Sequence, residues 1–150
     1  MRKLPILLAT GLIALAMTAI PAAAQQPIVI KFSHVVANDT PKGKGALKFK
    51  ELGEKYTNGR VKIEVYPNSS LYKDKEEIEA LQLGSVQMLA PSTAKFAPLG
   101  VKEFEALDLP WLFADDATYD KAMKGEVGQW LFKKLEAKGI GGLAYWDNGF

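Results

Sequence analysis

Strand-like and helix-like segments alternate along this chain, and this alternation restricts the possible folds more than any other feature. A β-branched run at 28–32 precedes a helical pattern for which Thr40 is the expected N-cap and Pro41 the first helical residue. An alternating strand pattern follows at 61–66, and the nearly apolar run 86–90 is typical of a central parallel strand. The order predicts an α/β fold, with a mostly parallel sheet flanked by helices.

The second half of the chain continues the pattern. Asp74 is expected to cap a helix that ends at Gly84, and the apolar run 104–113 is expected to be an extended crossing segment. An amphipathic helix is expected at 126–138 and a final buried strand at 143–146. The residues expected to face inward from the amphipathic helix are Val127, Trp130, Leu131 and Leu135.

The first 24 residues have the composition of a cleavable export signal. Two basic residues precede an apolar run at 5–20, and three alanines at 22–24 supply the small residues that a signal peptidase requires. The alternative is an uncleaved anchor, because the apolar run is near the lower length limit for a bilayer span. We expect cleavage, a mature chain of residues 25–150, and a location in the periplasm.

Composition excludes several classes of function. The sequence has 19 Lys and Arg against 17 Asp and Glu, and the leader holds two of the basic residues and none of the acidic ones. The mature chain is therefore about neutral, which argues against a nucleic-acid partner. With one histidine and no cysteine, neither a disulfide scaffold nor a metal site is expected, and no motif indicates a cofactor.

Polar side chains follow three of the predicted strands, and the carboxyl ends of parallel strands meet at the edge where such sheets bind ligands. Lys42 lies at a helix N-terminus, where the helix dipole disfavours a cation, so its presence indicates an anion nearby. Trp146 would supply an apolar wall for the carbon skeleton of a ligand. The candidate ligand-binding residues are His34, Lys42, Ser92, Thr93, Lys95, Trp146 and Asn148.

Two other functions compete with ligand binding. One is a secreted hydrolase that uses His34 as the base and Ser92 or Thr93 as the nucleophile, although no G-x-S-x-G motif is present. The other is a sensor or adhesion module, for which the apolar run 104–113 is the candidate surface. His34 is also open to a purely structural role.

Seven segments resemble, in order, the periplasmic solute-binding proteins of tripartite ATP-independent (TRAP) transporters, and most closely their dicarboxylate-binding DctP branch. The segments are 30–34, 40–43, 66–72, 76–84, 90–92 together with 94–96, 109–113 and 145–150. The resemblance implies two α/β lobes that close on a carboxylate without turnover and deliver it to the membrane subunits of a sodium-coupled permease. Residues 25–150 would then form the N-terminal part, mainly the first lobe and the start of the crossover.

The resemblance also implies that the dominant carboxylate clamp is an arginine of the second lobe. Another arginine commonly follows a segment like 148–150 in such proteins. Arg60, the only arginine after the leader, matches neither position. We therefore expect residues 25–150 to be a fragment that binds the ligand more weakly than the whole protein.

Overall fold

A computed structural model describes residues 26–73 and 75–146 of the chain. Three parallel strands form the sheet in the order β2-β1-β3, where β1 is Ile28–Ser33, β2 is Val61–Tyr66 and β3 is Met88–Leu89. The expected leader at 1–24, the expected cap Asp74 and the site candidate Asn148 lie outside the described residues.

The first helix, α1 (Pro41–Tyr56), begins where the local sequence predicts. The Thr40 hydroxyl accepts a hydrogen bond from the Gly43 N–H at 3.1 Å, which satisfies one of the free donors of the first turn. After the helix the chain reverses through Asn58 and Gly59, which have φ values of 50° and 74°. The expected cap at Thr40 is confirmed, and the turn uses two residue types that tolerate a positive φ.

Helix α1 covers one face of the sheet. The core on that face is formed by Phe32, Ala46 and Ile63, with Phe49 packed edge-on against Phe32 at a centroid distance of 5.9 Å. Alternate residues of β1 and β2 supply this face, as the period of two in their sequences predicts. Strand β2 therefore has one face turned to the core and one face turned away from it.

The rest of the chain builds a second core. Its elements are α2 (Glu77–Gln82), two 3-10 helical segments (Thr93–Leu99 and Lys102–Asp108), α3 (Asp116–Lys124) and α4 (Glu126–Glu136). The buried members of this second core are Ile78, Phe96, Val101, Phe104, Leu131, Leu135 and Ile140. The fold class predicted from the sequence is confirmed: a parallel sheet flanked by helices.

Several details of the prediction were wrong. The strand predicted at 86–90 has two ladder residues, and within the described residues it pairs with β1 alone, so it is an edge strand and not a central one. Much of 104–113 is 3-10 helix rather than extended chain. Helix α2 begins at Glu77, and its N-cap position is held by Glu76.

The interpretation of the last helix was also partly wrong. Leu131 and Leu135 are buried, but Val127 and Trp130 are half exposed, because the inward stripe runs through Gly128 instead. The segment 143–146 forms no strand, and Leu143 is exposed. Tyr145 packs on α4, whereas Trp146 packs on Phe32 of β1.

Tyr145 fixes this last segment to α4. Its ring stacks on Phe132 at a centroid distance of 4.5 Å and an angle of 4°, and its hydroxyl donates to the Gly128 carbonyl at 2.9 Å. A Cβ at Gly142 would lie 2.1 Å from the Phe132 ring, so glycine is needed for this approach. The contacts carry the chain back toward the sheet at Trp146.

We expect the stability of the protein to fall between pH 10 and pH 12 through Tyr145. Burial raises the pKa of Tyr145 to about 12, with a smaller contribution from Tyr119, against about 10 in an unfolded chain. The neutral phenol favoured by folding is therefore fully present below pH 10 and is lost as the pH rises through 12.

The measurement is urea unfolding of the wild type and Tyr145→Phe at several pH values. At pH 7 the variant should lose about 1 kcal/mol with the hydroxyl hydrogen bond. The difference in unfolding free energy between the two proteins should shrink above pH 10. A difference that stays constant up to pH 12 would contradict the assignment.

Candidate functional site

The carboxyl ends of the three strands lie at one edge of the sheet, and two of the loops that follow them are joined by backbone hydrogen bonds. The Asn68 N–H donates to the Val36 carbonyl at 3.0 Å, and the Ser69 N–H donates to the His34 carbonyl at 3.2 Å. Asn68 and Ser69 both have left-handed backbones, with φ values of 55° and 54°. The loop after β2 therefore supports the loop after β1.

Lys42 brings a buried positive charge to this edge. The side chain is only 7% exposed, and its Nζ donates to the Ala90 carbonyl, just beyond β3, at 3.2 Å. A buried ammonium needs hydrogen bonds and a compensating charge. The structure thus places Lys42 between the first turn of α1 and the end of β3, where the sequence predicted an anion.

His34 lies beside Lys42 and is fully buried. Its ring meets Phe32 edge-on at a centroid distance of 6.0 Å, and neither ring nitrogen has a hydrogen-bond partner among the described residues. Burial lowers the pKa of His34 below its ordinary value, the Val36 backbone opposes this shift, and the Lys42 charge adds to the lowering. At neutral pH the ring is therefore neutral, with one donor and one acceptor.

Trp146 covers the same end of β1. Its ring packs edge-on against Phe32 at 5.8 Å, and a Cβ at Gly45 would lie 3.4 Å from its Cζ3 atom. His34 also contacts Phe32, and the charge of Lys42 lowers its pKa. The structure therefore brings together three of the predicted residues, His34, Lys42 and Trp146. These three form one group on the α1 side of the sheet edge.

The segment that leaves β3 carries three more candidates. Ser92 is exposed at the start of the first 3-10 segment, and the Lys95 N–H donates to its carbonyl at 3.1 Å. The Thr93 hydroxyl donates to Asp108 Oδ1 at 3.2 Å, which ties this segment to the second 3-10 segment. Ser92, Thr93 and Lys95 thus follow Ala90 along the same edge, and their ligand contacts stay predictions.

The sequence reasoning missed a buried pair at this edge. The Ser33 hydroxyl donates to Glu77 Oε1 at 2.8 Å, and both residues are fully buried. A glutamate in the first turn of a helix is ordinarily explained by the helix dipole alone, so Glu77 does not stand out in the sequence. The available signal was its spacing, because Glu77 lies three residues before Ala80 and four before Leu81, on the apolar face of the helix.

The geometry does not assemble a hydrolytic set. Neither ring nitrogen of His34 bonds to Ser92 or Thr93, and the Thr93 hydroxyl is turned to Asp108. Within 26–73 and 75–146, no group of three or more metal-ligating side chains is present. The same residues contain no helix long and apolar enough to cross a bilayer. Among the described residues, the predicted group offers a buried cation but no nucleophile that is hydrogen-bonded to His34.

Comparison with known proteins gives a consistent result. A family model described as bacterial extracellular solute-binding protein, family 7 (DctP) matches residues 32–150. The C4-dicarboxylate-binding periplasmic protein DctP of Rhodobacter capsulatus is 71% identical over 131 residues, which are 87% of this chain and 39% of that protein.

Two solved structures are similar as well. A TRAP periplasmic solute-binding protein from Pseudomonas aeruginosa PAO1 with bound L-malate has a TM-score of 0.75 and 52% identity, over 80% of this chain and 42% of that one. A second from Sulfurospirillum deleyianum with bound succinate has a TM-score of 0.78 and 47% identity, over 82% and 39%. The chain thus spans about two fifths of the length of these relatives.

Proposed function

The chain belongs to the DctP family of bacterial extracellular solute-binding proteins, and we propose that it captures a small organic acid for a TRAP-type membrane permease. Members of this family bind solutes for transport and are not enzymes, which favours binding over the hydrolase reading at the level of the family. We propose C4-dicarboxylates as the ligand class, periplasmic capture after removal of residues 1–24, and sodium-coupled uptake by the permease.

The observation that carries this proposal is the buried ammonium of Lys42 at the ligand edge of a parallel sheet. Water screens a buried charge poorly, so it attracts a carboxylate more strongly than a surface lysine does. Trp146 and Phe32 supply apolar surface next to it for the carbon skeleton of the acid. Succinate and L-malate, which are bound in the similar structures, have both carboxylates for the cation and a short carbon skeleton for the apolar surface.

The matched relatives are more than twice as long as the aligned part of this chain. We propose that residues 25–150 form the first lobe and the start of the crossover, and that a second lobe completes the clamp around the acid. The group of His34, Lys42 and Trp146 is then one wall of a cleft. Ser92, Thr93, Lys95 and Asn148 would extend this wall toward the second lobe.

We expect succinate and L-malate to raise the melting temperature of the full-length protein. A ligand that binds only the native state stabilises it by about 2.7 kcal/mol at a free concentration of 100 times its Kd. Succinamide is the matched control, because it keeps the carbon skeleton and lacks both charges. The measurement is a thermal-shift titration, with the Kd confirmed by calorimetry.

One pair of results would favour the alternative function, a hydrolase that uses His34 as its base. In that case no carboxylate would shift the melting temperature, and an ester would be consumed by the wild type but not by His34→Ala. Stabilisation by succinate and succinamide to the same extent would also contradict an anion site.

A further inference from the structure

A second buried charge lies at the same sheet edge as Lys42 but reaches it from the opposite face. Glu77 of α2 is fully buried and accepts a hydrogen bond from Ser33, the last residue of β1, at 2.8 Å. Ser33 pairs in register with Leu89, and Lys42 Nζ donates to the carbonyl of the next residue, Ala90. Ala90 directly follows the residue that pairs with Ser33, so the Glu77 carboxylate and the Lys42 ammonium both lie at the carboxyl end of the β1–β3 pair.

We propose that Glu77 is a specificity-determining residue of this anion site, whose buried negative charge sets the preference between doubly and singly charged carboxylates. The inference rests on the proposed function and adds a residue to it. A fixed charge repels a dianion about twice as strongly as a monoanion at the same distance. Burial keeps salt and water from screening that repulsion.

The burial of Glu77 separates its effect from that of a contact residue. With none of its surface exposed, Glu77 does not touch a ligand that approaches the open edge. The hydrogen bond from Ser33 holds the carboxylate in place and stabilises its charge. The residue therefore acts on a ligand at Lys42 through its electrostatic field, and the charge of the ligand decides the size of the effect.

The chain offers a matched control on the same helix. Glu79 lies two residues further along α2 and is exposed to solvent, where charges are screened. Glu79→Gln removes the same charge from the same helix without opening the buried pair. It is therefore expected to leave both affinities unchanged.

The experiment compares the Kd of succinate with that of monomethyl succinate for the full-length protein, by calorimetry at pH 7.5. Glu77→Gln should bind succinate roughly tenfold more tightly and monomethyl succinate about threefold more tightly, because a fixed charge repels a dianion about twice as strongly as a monoanion. The ratio of the two Kd values should therefore shift about threefold, with no shift in Glu79→Gln.

A purely structural role would change both affinities by the same factor. Ser33→Ala removes the hydrogen bond that stabilises the charge of Glu77, so it should shift the ratio in the same direction as Glu77→Gln and by no larger factor. An unchanged ratio in Glu77→Gln, with the wild type binding succinate, would overturn the inference and leave the proposed function standing. A wild type that binds no carboxylate would instead remove the proposed function itself.

A second variant guards against misfolding. Glu77→Met fills the same space without a polar group, and replacement of a buried charge by an apolar side chain of similar volume is often tolerated. It should shift the Kd ratio in the same direction as Glu77→Gln. If neither variant folds, as judged by circular dichroism, Glu77 acts through stability and the inference is wrong.

Discussion

Lys42→Met is expected to weaken succinate binding by the full-length protein by roughly 30-fold to several thousand-fold. Loss of one partner from a buried charge pair costs about 2–5 kcal/mol, because the other charge is left buried without compensation. Lys42 is the buried cation at the ligand edge, and methionine keeps most of its length without the charge. Isothermal calorimetry on both proteins measures the change directly.

Lys44→Met is the matched control for this prediction. Lys44 lies on the same helix two residues later and is exposed, so its charge is screened by water. A second variant, Lys42→Arg, keeps the charge but changes the geometry, and it should bind better than Lys42→Met. Equal Kd values for Lys42→Met and Lys44→Met, with both proteins folded, would contradict the role of Lys42.

Features that depend on local chemistry could be predicted from the sequence. The cap at Thr40 needs only a hydroxyl three residues before a free N–H, and the observed bond to Gly43 joins those two groups. The turn at Asn58 and Gly59 needs only residues that tolerate a positive φ. The position of Lys42 followed from the same local logic, because a lysine in a first helical turn departs from the usual charge pattern.

Features that depend on distant partners could not be predicted in this way. Trp146 was expected to end a strand, but the stacking of Tyr145 on Phe132 holds this segment against α4. No pattern in the sequence around Tyr145 predicts its contact with Phe132. The length of β3 likewise depends on the partner it finds, and it pairs with only two residues of β1, Phe32 and Ser33.

The buried pair of Ser33 and Glu77 illustrates the same limit within the site. The two residues are 44 positions apart, and each has an ordinary local role, one at a strand end and one at a helix start. Only the parallel pairing that brings α2 against the end of β1 turns them into one unit. Sequence reasoning therefore singled out Lys42 but missed the buried carboxylate of Glu77 at the same sheet edge.

Gly43→Ala is expected to destabilise the protein by about 2–4 kcal/mol, as overpacking against rigid atoms does. A Cβ at Gly43 would lie 2.1 Å from the Ala37 carbonyl oxygen and 2.6 Å from the Asn38 Cα. These are backbone atoms, so the loop after β1 has to move. Movement would break the bonds that the Thr40 N–H and hydroxyl donate to Ala37, at 3.3 and 2.7 Å.

Gly45→Ala is the control, since it makes the same change in the same helix two residues later. Its Cβ would meet only the Trp146 ring, at 3.4 Å, and alanine favours a helix over glycine by up to about 1 kcal/mol. Urea unfolding should therefore separate the two variants by several kcal/mol. The displaced loop joins His34 to Lys42, so Gly43→Ala should also bind succinate more weakly under conditions in which it is folded. Equal unfolding free energies for the two variants would contradict the prediction, because they would mean that the loop moves without cost.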